Sequence, residues 1–143
     1  MFNPPQSMTM KALIPVMIGL FAVTAQAATP NEILASHLAE AAKNNPRYQS
    51  SAERGAYLYT HPFGVSAKMP SCSSCHSDDP ARGGSHVVTG KAIQPLAPAA
   101  NAERFSDPAK VEKWFRRNCG EVLGRECSAA EKADFITFVM RGR

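Results

Sequence analysis

Convincing strand alternation is missing from this 143-residue chain, so a sheet-based fold is excluded and helices joined by loops are expected. Charge is missing from its start: Lys11 is the only charged residue before Glu32. Ala12 to Thr24 form an apolar stretch there, but it contains Pro15 and falls short of the roughly 20 apolar residues a membrane-spanning helix needs. The small residues of Ala25-Gln26-Ala27 close it like a cleavage site, so residues 1–27 are expected to be a secretory signal peptide. The remainder, residues 28–143, is long enough for one small domain with one core, exported to the periplasm and without stable membrane insertion once the leader is removed. An uncleaved anchor is the lesser alternative. The basic surplus is mild, +4 for the whole chain, which does not point to nucleic acid and at most favours an acidic docking partner. No acid/base pair, nucleophile motif or second metal site is evident, so no catalytic cycle and no enzyme is expected.

Against those absences stands one dense motif. Cys72-Ser73-Ser74-Cys75-His76 is a Cys-x-x-Cys-His run, the pattern that attaches haem through two thioethers. Two cysteines three residues apart reach the two vinyl groups on one edge of a porphyrin, and the histidine directly after them is held under the iron. A thioredoxin-like redox pair would sit at a strand-to-helix junction of a βαβ unit, and a zinc half-site would need a second Cys/His pair at short spacing. Neither context is present. One covalently bound haem c is therefore the expected cofactor. Of four cysteines this leaves Cys119 and Cys127, which in an exported chain are expected to form a disulfide.

Helix signals organise the rest. Thr29-Pro30-Asn31-Glu32 combines an N-cap, an N1 proline and a capping-box glutamate, opening a helix to about Lys43 with Ile33, Leu34, Leu38 and Ala41 inward. Ser50-Ser51-Ala52-Glu53 reads as a second capping box, before a helix that turns Gly55, Leu58 and Tyr59 to the core. Gly55 would let this helix cross closely against the aromatic face of the last one. Residues 77–102 form a long Gly/Pro-rich loop able to wrap a cofactor edge. Ser106-Asp107-Pro108 opens a third helix, where Val111, Trp114, Phe115 and Asn118 share one stripe. Ser128-Ala129-Ala130-Glu131 is another capping box, and Phe135, Ile136, Phe138 and Val139 on the helix it starts are available for packing.

The sixth iron position decides function, and residue types alone leave it open. Met69 lies too close to Cys72, Met140 sits near the terminus, and nothing selects His37, His61 or His86. Thr89-Gly90-Lys91-Ala92-Ile93-Gln94-Pro95-Leu96-Ala97-Pro98, Arg104-Phe105-Ser106-Asp107, Val111-Glu112-Lys113-Trp114, Arg117-Asn118-Cys119 and Gly124-Arg125-Glu126-Cys127, however, resemble the sphaeroides haem protein family, also catalogued as a domain of unknown function. The resemblance runs from about Glu53 to the C-terminus and implies a small, all-α class I cytochrome c fold of three to five helices around one haem. It implies that Asn118 is the sixth ligand opposite His76 and that Cys119 and Cys127 are bridged. Trp114, one turn before Asn118, would then line the pocket. It also implies release of the asparagine on reduction and binding of diatomic gases such as oxygen, nitric oxide or carbon monoxide. The implied partners are multihaem or membrane-bound b-type cytochromes. By analogy with other cytochromes, His76 would donate its second ring nitrogen to a carbonyl of Pro95 to Pro98. A single-electron carrier is the leading function, and a dedicated oxygen or nitric oxide binding or sensing protein is the alternative.

Overall fold

The computed structural model describes residues 27–142 together with Met1, and builds them from helices α1 Pro30–Asn44, α2 Ala52–Thr60, α3 Ser73–His76, α4 Pro108–Leu123 and α5 Ala129–Arg141. The expected leader, residues 1–27, lies outside the described residues except for Met1 and Ala27. Among the described residues no helix is long and apolar enough to cross a membrane.

Local chemistry starts each long helix where the sequence signals it. On α1 the Thr29 hydroxyl accepts from the Glu32 N–H at 3.2 Å, and the Thr29 N–H donates back to the Glu32 carboxylate at 2.7 Å. Asp107 caps α4, and Ser128 with Glu131 completes a capping box on α5. The α2 cap falls one residue later than the spacing predicts. Ser51 is the cap, accepting from the Arg54 N–H at 3.2 Å, because its own N–H is fixed by Asp134 Oδ1 at 2.7 Å. Ser50 instead accepts from the Thr137 hydroxyl at 2.8 Å.

The core gathers Ile33, Phe105, Phe115, Ile136 and Val139 with Cys119 and Cys127. On α1 the buried row is Ile33, His37 and Ala41, while Leu34 and Leu38 are only half-buried. A histidine is tolerated there because its Nε2 meets Glu112 at 3.3 Å and its ring lies edge-on to Phe115, 5.8 Å between centroids. Glu112 in turn pairs with Lys132 at 2.6 Å, so one carboxylate ties α1, α4 and α5 together. The stripe expected on α4 also divides. Phe115, Cys119 and Val122 face the core, whereas Trp114 is 42% exposed and Asn118 half-buried on the flank of the helix.

Helices α2 and α5 cross at Gly55. A Cβ built there would lie 2.1 Å from the Asp134 carbonyl oxygen and 2.7 Å from the Phe138 Cβ, so only a bare Cα fits. The crossing is fastened by the Asp134 carboxylate, which is buried and accepts from Tyr48 Oη at 2.6 Å, the Ser51 N–H at 2.7 Å and Arg54 Nε at 2.8 Å.

Residues 77–102, expected to contain no strand, carry a minimal antiparallel ribbon of β1 Gly84–Ser85 and β2 Ala92–Ile93, with Gly84 opposite Ile93. Two-residue strands are too short for alternation to register in sequence. The ribbon is closed by His86, whose N–H donates to the Lys91 carbonyl at 2.9 Å and whose Nδ1 accepts from the N–H groups of Val88 at 3.2 Å and Thr89 at 3.3 Å.

Gly55→Ala should destabilise the fold by about 3 kcal/mol or more, the upper range for overpacking, because the clash is with backbone. Gly120→Ala, with open space around its Cα, should instead gain up to about 1 kcal/mol of helix propensity. Denaturant unfolding of both variants checks this, and equal effects would refute the close crossing. A pH dependence arises from His37, whose imidazole burial holds below its ordinary value of 6.5 despite the opposing pull of Glu112. The unfolded chain then binds the proton more readily than the native one, so this contribution is complete above pH 6.5 and is lost as pH falls through the lower native value. Unfolding curves from pH 7.5 down to about pH 5 should show the wild type losing stability relative to His37→Gln. Parallel curves would refute it.

Candidate haem site

The Cys-x-x-Cys-His run forms the single turn α3, in which the Cys72 carbonyl accepts from the N–H groups of Cys75 at 3.3 Å and His76 at 3.1 Å. This turn brings both thiols and the imidazole into one place. Both cysteines are free and half-buried. Beneath them Ser71 is buried, its hydroxyl 3.0 Å from that of Ser73 and 2.9 Å from that of Ser74. Helix α3 is backed by α2 and by β1, whose Gly84 packs so closely that a Cβ would come within 1.9 Å of the Cys75 carbonyl oxygen.

The electrostatics of the turn separate the possible chemistries. Burial pushes the Cys72 thiol up to about 11, the opposite of the depressed value that makes a redox Cys-x-x-Cys nucleophilic. Among the described residues no three His, Cys, Asp or Glu side chains come together as a metal site, so a zinc half-site has no second half. His76 is pushed down to about 4, chiefly by burial and further by the nearby Arg104 cation, which leaves a neutral imidazole able to offer a lone pair. Two unpaired thiols and a neutral imidazole in one turn fit covalent haem, with the thiols adding across the vinyl groups and the imidazole facing iron.

The loop behind His76 is ordered by hydrogen bonds. Leu96 and Ala97 both donate to the Pro80 carbonyl at 2.9 Å, and Pro80 and Ala97 are buried. A carbonyl of Pro95 to Pro98 was expected to accept from the His76 ring, and none does; that of Pro95 accepts from Arg104 Nε at 2.8 Å and Asn101 Nδ2 at 3.4 Å. Arg104 also donates to the Gln94 carbonyl at 2.7 Å, so one half-buried guanidinium both pins this segment and holds positive charge near His76. Sequence reasoning gave Arg104 no role, since no ligand spacing marks it. It likewise counted Tyr59 only as core, although its hydroxyl reaches the backbone of the haem turn.

Trp114 and Asn118 lie on α4, one turn apart, and the Arg117 guanidinium sits 5.6 Å from the Trp114 ring centroid. Asn118 does not cap its helix, which continues to Leu123 and ends at Gly124 in the left-handed region. The next residue, Cys119, is bonded to Cys127 with 5.7 Å between Cα atoms, which ties the C-terminal half of α4 to the approach to α5. The other candidate ligands have separate surroundings. His37 and Met140 pack in or against the core. His61 stacks on Tyr57 at 4.5 Å and meets Phe63 edge-on at 5.0 Å, His86 closes the ribbon turn, and Met69 donates its N–H to Ser66 Oγ at 3.1 Å.

Comparison with known proteins agrees with this geometry. Residues 45–139 match the family described as a domain of unknown function, DUF1924. The chain is 38% identical over 137 residues to cytochrome c'' of Methylophilus methylotrophus, covering 93% of this chain and 95% of that protein. A solution structure of cytochrome c'', described as giving insight into haem-ligand detachment, superposes with a TM-score of 0.64 at 37% identity, covering 78% of this chain and 91% of that one. The chain is 43% identical over 112 residues to the cytochrome c-type protein SHP of Cereibacter sphaeroides, covering 78% of this chain and 82% of that protein. A structure of oxidised SHP, described as an oxygen-binding cytochrome c, superposes with a TM-score of 0.72 at 40% identity, covering 79% of this chain and 96% of that one. The chain belongs to this family of SHP and cytochrome c'' proteins, small helical c-type cytochromes with covalently bound haem c.

Proposed function

We propose that the chain is a periplasmic single-electron carrier in which Cys72 and Cys75 anchor the haem, His76 is the proximal ligand and Asn118 the sixth. The bound haem supplies one-electron chemistry at its iron. An amide carbonyl is a hard, neutral donor that suits ferric better than ferrous iron. Asn118 would therefore hold the reduced iron weakly, and its departure would leave room for a diatomic ligand. Trp114, half-exposed on the same flank of α4, lines that side of the pocket. The observation that carries this reading is the position of Asn118: half-buried on the flank of α4, three residues after Phe115 and four before Val122, relieved of a capping role by Gly124 and adjacent to the bridged Cys119. The bridge and the expected leader support an oxidising compartment outside the cytoplasm. Multihaem or membrane-bound b-type cytochromes are the partners such a carrier would serve.

The second reading, a dedicated oxygen or nitric oxide binding or sensing protein, is favoured by the description of the related SHP as oxygen-binding. The two differ in which state does the work: a carrier cycles between oxidation states, whereas a gas binder rests with its ferrous position open.

Absorption spectra of oxidised and reduced holoprotein, with and without carbon monoxide, test the ligand. Reduced wild type should bind carbon monoxide, and Asn118→Ala should alter the ferric spectrum while leaving that binding intact. A reduced wild type that ignores carbon monoxide, or an unchanged ferric spectrum in Asn118→Ala, overturns the asparagine reading. Intact mass under denaturing conditions tests the anchors. Wild type should retain one haem, and the Cys72→Ser, Cys75→Ser double variant none; haem retained by the double variant would refute the attachment.

A further inference from the structure

Directly after His76 the backbone is strained. Ser77 adopts φ 63° and ψ 171°, a combination open to glycine but costly for a residue with a Cβ. Such a conformation persists only where its surroundings over-determine it, and three contacts do so. The Tyr59 hydroxyl lies 2.6 Å from the Ser77 carbonyl oxygen and 3.1 Å from that of His76, donating its single proton between them. Ser77 Oγ donates to the Asp79 carbonyl at 3.0 Å. From the other side β1 presses on the turn, with the Gly84 Cα so near that a Cβ would lie 2.9 Å from the His76 Cα.

The tyrosine has no freedom to retreat. Its side chain is fully buried, its ring centroid 5.2 Å from that of Phe138 and 6.0 Å from that of Phe135. One turn earlier on the same helix, Gly55 locks α2 against α5. Among the described residues the His76 ring has no hydrogen-bond partner on the Pro95 to Pro98 segment, whose Pro95 carbonyl accepts from Arg104 and Asn101. Its orientation depends on the backbone that carries it.

We propose that Tyr59 is a positioning residue for His76: its hydroxyl holds the His76 and Ser77 carbonyls and so fixes the plane of the imidazole under the cofactor. This rests on the reading of His76 as iron ligand. Without the hydroxyl, the Ser77 backbone relaxes toward an unstrained conformation and the ring turns with it. The axial field at the iron then changes, and with it the midpoint potential.

The test uses full-length holoprotein, with the ferric electron paramagnetic resonance spectrum and the midpoint potential as readouts. Tyr59→Phe keeps the ring packed and removes only the hydroxyl, and it should shift the g values, broaden their distribution and move the potential. Ser77→Gly removes the strain that drives this relaxation, so Tyr59→Phe made in that background should shift both readouts less than Tyr59→Phe alone. Phe138→Leu loosens the packing that holds the same ring; it should shift both readouts in the same direction by less, and serves if Tyr59→Phe does not fold. Ile33→Val, in the core on α1, should lower the unfolding temperature and move neither readout. Wild-type g values and potential in both Tyr59→Phe and Phe138→Leu overturn the proposal, as does an equal shift in Ile33→Val. His76→Met separates the underlying reading. An unchanged ferric spectrum there overturns His76 as ligand and the proposal with it, whereas a changed one with an inert Tyr59→Phe overturns the positioning role alone.

Discussion

The close crossing of α2 and α5 at Gly55 is the constraint on which the rest of the site depends. Where a side chain would stand, the Asp134 carbonyl oxygen is only 2.1 Å from the ideal Cβ position. Bringing two backbones this near sets the depth at which Tyr59 enters the molecule. From that depth its ring packs on Phe135 and Phe138, and its hydroxyl reaches the carbonyls that end the haem turn. A missing methyl group on one helix thus positions the backing of a cofactor on another.

Polar groups, not only apolar burial, hold this crossing in register. Asp134 is buried, and a buried carboxylate without partners would be severely penalised. Here Tyr48, Ser51 and Arg54 all donate to it, joining the segment before α2 to the middle of α5. The guanidinium is largely exposed while the carboxylate is not, so the cation keeps much of its hydration and the desolvation cost falls on one partner. Loss of the arginine would leave an uncompensated buried charge, a change that typically costs about 3–5 kcal/mol. Glu112 plays a more exposed version of the same part, bridging His37 of α1 and Lys132 of α5 from α4.

Much of this was legible in the sequence where the signal is local. Capping boxes at Thr29 and Ser128, the helix opened by Asp107-Pro108 and the glycine needed at position 55 depend on near neighbours or on one missing atom. The α2 cap moved from Ser50 to Ser51 because Asp134, distant in sequence, captures the Ser51 N–H, and no spacing rule contains that partner. His37 replaced the leucines on the inner face of α1 for a similar reason: Glu112 makes a polar ring acceptable there. The ribbon at Gly84 and Ala92 is too short for periodicity. Within the site, the motif from Cys72 to His76 was readable because a covalent cofactor demands fixed spacing. Arg104 was not, since its role comes from reaching the Pro95 and Gln94 carbonyls, which only the folded loop presents.

The segments that carry His76 and Asn118 differ in how they are held, and on the proposed reading that difference bears on which ligand can leave. His76 is backed by a buried hydroxyl, a glycine-tight ribbon and a carbonyl ladder onto Pro80, all engaging its own backbone or the segment beside it. Asn118 stands half-buried at the edge of the buried row of α4, and what is fixed there is the helix, through Phe115, Val122 and the Cys119–Cys127 bridge. On the proposed reading, releasing Asn118 requires rotation of one half-exposed side chain. Releasing His76 would mean disrupting a strained turn clamped on both sides. On that reading the bridge would keep the departure local: Cys119 tethered to Cys127 would hold α4 in place while the amide moved, and the same side chain could return. A labile group on a tethered helix and a fixed one on a clamped turn would together reconcile reversible opening with a constant path for the electron.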